Sequence, residues 1–100
     1  MYIDFVAVRQ LVPLRTVLGR CGVELHREGR ATLRGGCPIH GSSSQRSRSL
    51  AVTGDEWYCH HCRIGGDVTD LWRALTGLPL IQAAADLCQT FGVPLPRRTV

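Results

Sequence analysis

Two short turns carry the residues best suited to chemistry. "GGCPIHG", residues 35–41, sets Cys37 and His40 three positions apart, and "WYCHHC" sets Cys59 and Cys62 at the same separation after 18 intervening residues. Thiolate and imidazole are donors that zinc favours, four to an ion in a tetrahedron, with sulfur at ~2.3 Å and nitrogen at ~2.0–2.1 Å. A C-x2-C or C-x2-H segment folds into a knuckle that presents both its ends to one ion. Gly35, Gly36, Pro38 and Gly41 at the first turn, and Gly65 and Gly66 after the second, supply the backbone freedom this needs. The pattern C-x2-H-x18-C-x2-C thus predicts one Zn2+ held by Cys37, His40, Cys59 and Cys62. Four protein ligands close the coordination sphere, whereas a catalytic zinc keeps a position open for water. The expected role of the ion is structural.

Other reactive side chains are read more plainly. His60 and His61 lie inside the second knuckle, where the turn points them away from the ion, and are expected to be exposed. Cys88 falls on an apolar helix face and reads as a small buried hydrophobe, and Cys21 is likewise read as structural. Asp67 and Asp70 are explained by helix capping, and no further carboxylates converge on them. No catalytic constellation is expected. Five cysteines, an odd number, fit metal binding better than a disulfide framework.

The elements that must position the turns follow from periodicity and punctuation. "DFVAVRQLVPLRTVLGRCG" is helical in pattern, with Pro13 starting a second helix. "VELHREGRATLRGG" reads as two short strands around Glu28–Gly29, and "LAVTGDEWYC" as a hairpin turning at Gly54–Asp55. Between them "GSSSQRSRS" is a polar loop of low complexity. Trp57 and Tyr58 are neighbours on one strand, so one packs inward and the other is available for stacking. In "GGDVTDLWRALTG", Val68, Leu71, Trp72 and Leu75 form one helix face behind an Asp67 N-cap, with Gly77 as the stop. "LPLIQAAADLCQTFG" gives a last helix with Ile81, Ala84, Leu87, Cys88 and Phe91 on its apolar side. The order of helices, strands and helices is that of an α+β fold.

Length and charge bound the function. One hundred residues allow one small domain, of the size that often adds a metal as a staple. No apolar run approaches the ~20 residues that cross a bilayer, so no membrane association is expected. "MYIDFVAVRQ" has no secretory pattern, and the expectation is a cytoplasmic protein. The net charge is +4 and all twelve basic residues are arginine. Six of them lie between Arg27 and Arg63, against Glu28, Asp55 and Glu56. A basic middle suits a polyanionic partner.

"GGCPIHG", "RSLAV", "WYCHHCRIGGDVTDLW" and "LPLIQAAADLCQTFGVPLP" together resemble the N-terminal zinc-binding domain of bacterial and phage DNA primases, over roughly residues 5–96. The resemblance implies a zinc ribbon, an antiparallel sheet pinned by one structural zinc and flanked by N- and C-terminal helices. It implies a primase-type domain over 1–96, while the prolines and arginines of "VPLPRRTV" read as extended chain and residues 97–100 as a flexible tail. It further implies a non-catalytic module that engages single-stranded DNA template and assists primer synthesis by a primase catalytic domain or subunit, with a helicase as a further candidate partner. The basic and aromatic side of the sheet would face DNA, with Arg34, Arg48, Trp57 and Arg63 as its residues. The chain departs from the family in its longer serine-rich loop and in the histidines of its second knuckle. Those departures keep an alternative in view, an adaptor that binds a replication partner in place of DNA.

Overall fold

The computed structural model describes residues 2–40 and 48–99. Residues 41–47, most of the polar loop, lie outside the described residues. The chain opens with a two-residue strand β1 (Tyr2–Ile3), then helices α1 (Phe5–Leu11) and α2 (Leu14–Arg20). The Asp4 carboxylate caps α1 by accepting from the Ala7 N–H at 3.1 Å. Pro13 ends one helix and begins the next, as its fixed φ and missing N–H require.

Five strands follow or precede the turns in one antiparallel sheet of order β2-β3-β4-β5-β6. They are β2 (His26–Arg27), β3 (Thr32–Gly35), β4 (Leu50–Thr53), β5 (Glu56–Cys59) and β6 (Ile64–Gly66). Register sorts the side chains by face. Leu33, Val52 and Trp57 align across three strands, as do Gly35, Leu50 and Cys59. Leu50, Val52, Trp57 and Cys59 are buried, so this is the inner face. The alternate row, His26, Arg34, Ala51, Tyr58 and Gly65, runs across all five strands on the other face. The β4–β5 hairpin turns at Gly54 with φ of 60°, which places a glycine first in a type II′ turn matched to strand twist.

Two helices, α3 (Val68–Thr76) and α4 (Leu80–Thr90), cover the inner face together with α1 and α2. α3 begins in a reciprocal capping box. The Asp67 carboxylate accepts from the Asp70 N–H and the Asp70 carboxylate from the Asp67 N–H, both at 3.0 Å. Val68 and Leu71 of α3 meet Leu87 and Cys88 of α4 and Val8, Val17 and Leu18 of the opening helices in one buried cluster.

Three expectations are corrected. Ile81 is 66% exposed, because α4 turns Ala83 and Ala84 to the core in its place. Cys21 is exposed at the C-cap of α2 and contributes nothing to the core, whereas Cys88 is buried as read. Trp72 packs against the core from a half-buried position, its Nε1–H donating to Asp86 Oδ2 at 2.7 Å and its ring set edge-on to Phe91. Past residue 96, Arg97–Arg98 form strand β7, paired antiparallel with Tyr2–Ile3, where sequence alone suggested an untethered tail.

Candidate metal centre and nucleic-acid face

The first knuckle hangs from the end of β3 and the second joins β5 to β6. Since β3, β4 and β5 are adjacent, the two turns emerge at the same end of the sheet. Cys37 and Cys59 are fully buried, Cys62 is half-buried, and His40 is exposed on the rim. Within the second knuckle the Cys62 N–H points at the Cys59 sulfur at 3.3 Å, and the Arg63 N–H bonds the Cys59 carbonyl at 2.7 Å. These bonds close the turn and aim both sulfurs inward. The ligand atoms of Cys37, His40, Cys59 and Cys62 all lie within 4.8 Å of one another. A tetrahedron with ~2.3 Å bonds spaces its corners by roughly 3.8 Å, so a contraction of about 1 Å on the longest edge completes the site. Donor set and spacing fit one structural zinc ion.

Burial pushes the Cys37 thiol up to about 12, and the neighbouring Cys59 sulfur adds to the rise. Burial also acts against the Cys59 thiolate, but the Cys62 N–H and the flanking thiols outweigh it and lower its pKa. Cys62 is raised, by burial and by Cys59. Without a cation, then, the cluster holds protons on Cys37 and Cys62 near neutral pH, and a zinc ion must displace them. Zinc uptake should release protons, and apparent affinity should weaken as pH falls, by about tenfold per pH unit for each proton displaced. Titration calorimetry in buffers of different ionisation enthalpy checks this; uptake without proton release would contradict it.

The four residues assigned to the nucleic-acid face differ in what they leave open to a ligand. Trp57 is 3% exposed, and its Nε1–H donates to the Asp67 carbonyl at 2.7 Å, so its ring faces the core and is not open to stacking. The aromatic on the outer face is Tyr58, 42% exposed. Its ring lies over Gly65, where an added Cβ would come within 3.0 Å of Tyr58 and 2.4 Å of the Trp57 carbonyl. The Arg34 guanidinium is engaged within the fold. Its Nε and Nη2 both donate to the Arg48 carbonyl, and its Nη1 lies 3.4 Å from Glu28 Oε1. Arg48 is exposed at the entry to β4. Arg63 is exposed beside the second knuckle with φ of 59°, the left-handed region that favours glycine. His60 and His61 are exposed, His60 edge-on to Tyr58 and His61 against His40.

Comparison with known proteins agrees with this geometry. The model of the CHC2 zinc finger family matches residues 3–100. The chain is 32% identical over 91 residues to a DNA primase of Geobacillus stearothermophilus, covering 89% of this chain and 14% of that protein. It is 29% identical over 89 residues to a DNA primase of Mycobacterium leprae, with the same coverage of 89% and 14%. The chain therefore spans a small part of the length of these curated relatives. In fold it is similar to the structure of the zinc-binding and RNA polymerase domains of the Aquifex aeolicus primase. There the TM-score is 0.68 at 21% identity, over 95% of this chain and 23% of the other. With its Cys-His-Cys-Cys cluster and a match over nearly its whole length, the chain belongs to the CHC2 zinc finger family.

Proposed function

We propose that this ribbon is a non-catalytic module that engages single-stranded DNA template and assists primer synthesis by a primase catalytic domain or subunit. The observation that carries the reading is the outer face of the sheet. Tyr58 stands exposed between Ala51 and Gly65, whose small size leaves its ring open, while Arg48 before β4 and Arg63 between β5 and β6 are exposed. A base stacking on such an aromatic contributes ~1–3 kcal/mol, and arginines along a backbone track make binding salt-sensitive. Arg63 strengthens the case. A non-glycine residue in the left-handed region costs on the order of 1–3 kcal/mol, and such strain concentrates at functional positions. The side chain at position 63 is worth that cost if its guanidinium meets phosphate. Arg34 contributes positive charge from within the fold.

The relatives named DNA primase support the same assignment. A reducing, cytoplasmic setting suits three thiols kept for a metal, and no helix among the described residues is long and apolar enough to cross a membrane. A helicase is a further candidate partner. The adaptor reading has one observation in its favour, an apolar groove of about 360 Å³ lined by Tyr2, Ile3, Phe5, Leu80, Ile81 and Leu95.

Fluorescence anisotropy with short single-stranded oligonucleotides tests the DNA reading. Binding is expected within the ~10⁻⁴–10⁻⁶ M range of non-specific affinity and should weaken with salt. Arg63→Gly keeps the left-handed turn but removes the guanidinium, so the salt slope should fall by about 0.7. Arg48→Ala should flatten it likewise. Absence of binding at low salt by the zinc-loaded protein would sink the DNA reading and leave the adaptor.

A further inference from the structure

Residues 48 and 49 join the two knuckles more tightly than a loop end requires. The His60 N–H donates to the Ser49 carbonyl at 2.8 Å, fixing Ser49 to the second knuckle. The Arg34 guanidinium holds the preceding carbonyl, that of Arg48, with two donors. From this anchored backbone the Ser49 hydroxyl reaches the first knuckle, where its Oγ lies 3.4 Å from His40 Nε2, at the long end of hydrogen-bond reach. The His61 ring packs on the His40 ring with centroids 4.3 Å apart and planes at 42°.

We infer that Ser49 is a positioning residue for the metal centre: its hydroxyl accepts Nε2–H of His40 and so assigns Nδ1 to the zinc. A neutral imidazole carries one proton, and whichever nitrogen donates it leaves the other as the ligand. Chain geometry favours the same atom. In a knuckle whose other end is cysteine, sulfur stands two bonds from Cα and Nδ1 three, while Nε2 is farther out. Nδ1 is thus the nitrogen that replaces a thiolate with the least change in the turn. Nε2 then projects away from the ion, where Ser49 Oγ stands. Metal-bound histidines commonly donate their second N–H to an oxygen partner, which orients the ring and makes it a better ligand. Here that partner is tethered by its own backbone to the opposite knuckle. Closing the zinc site and fixing the histidine tautomer are therefore coupled through one residue, and the His61 ring limits rotation of His40 about its side-chain bonds.

Long-range 1H–15N correlation of the imidazole nitrogens in the zinc-loaded protein reads the tautomer directly. The expected result is a metal-bound His40 Nδ1 and a protonated Nε2; a metal-bound Nε2 overturns the inference. A second measurement follows zinc transfer to a colorimetric chelator. Ser49→Ala should release zinc about tenfold faster, in line with the 10–100-fold loss of affinity typical when such partners are removed. Ser49→Thr, which keeps the hydroxyl, should restore the slow release. Equal release rates for wild type and Ser49→Ala, or failure of Ser49→Thr to rescue a fast Ser49→Ala, would also overturn it. The tautomer measurement needs only the wild-type protein and stands even if Ser49→Ala folds poorly.

Discussion

Stripping the zinc should unfold the ribbon. Its inner face is built on the ligands themselves, since Cys37 and Cys59 belong to the buried cluster with Leu50, Val52 and Trp57. Without the ion, burial keeps the Cys37 thiol protonated up to about 12, and the two knuckles lose what draws them together. Binding free energies for structural zinc run to about 10–16 kcal/mol in small peptides, comparable to or greater than the whole stability of an ordinary domain. Chelator-treated protein should lose its cooperative thermal transition by circular dichroism and regain it when zinc is returned. Cys59→Ser should act in the same direction, abolishing the transition or lowering it steeply. Cys88→Ser is the control, because Cys88 is buried between helices and touches no ligand. It should cost no more than the few kcal/mol of a buried polar substitution. A metal-free protein with its full transition intact would contradict the dependence.

The ease of reading the site from sequence, and the difficulty of reading its surface, have physical causes. A ligand set is legible because short turns between paired ligands can be satisfied only locally, and the C-x2-H and C-x2-C turns announce themselves without tertiary context. The capping box of Asp67 and Asp70 and the Pro13 break are local in the same sense. What failed depended on distant partners. Ile81 fits an apolar helix face by periodicity, but which arc of α4 is buried is set by the elements packed on it, and it is Ala83 and Ala84 that are buried. Arg97 and Arg98 read as a polar tail until the first residues of the chain pair with them. The assignment of Trp57 could have been corrected from sequence. Cys59 must point toward the metal, strand side chains alternate, and so Trp57 shares its face while Tyr58 takes the other. Ser49 had no such signal, since its role appears only once β4 is laid against β5.

Trp57 and Tyr58 should therefore give opposite results when each is cut to alanine. Trp57 sits at the junction of sheet and helix. Its register partner is Gly66, and its Nε1–H bonds the carbonyl of Asp67, the N-cap of α3. That carbonyl also accepts the Leu71 N–H, the first bond of the helix. Trp57→Ala leaves a cavity in the inner face and removes that donor, and changes of this size typically cost about 3–5 kcal/mol. Trp57→Phe keeps most of the packing but leaves the indole donor missing, and should cost roughly 1–3 kcal/mol. Tyr58→Ala removes an exposed ring from the outer face, so stability should fall by only about 1 kcal/mol or less. Binding of single-stranded DNA should drop by about 1–3 kcal/mol at every salt concentration, because stacking is not a counterion effect. Thermal melts and anisotropy on the same three variants separate the two roles. If zinc-loaded Trp57→Phe melts like wild type while Tyr58→Ala collapses, the two faces have been exchanged. If Tyr58→Ala stays folded and binds DNA as wild type does, base stacking is not what this surface provides, and contacts by Arg48 and Arg63 alone must account for any salt-sensitive affinity.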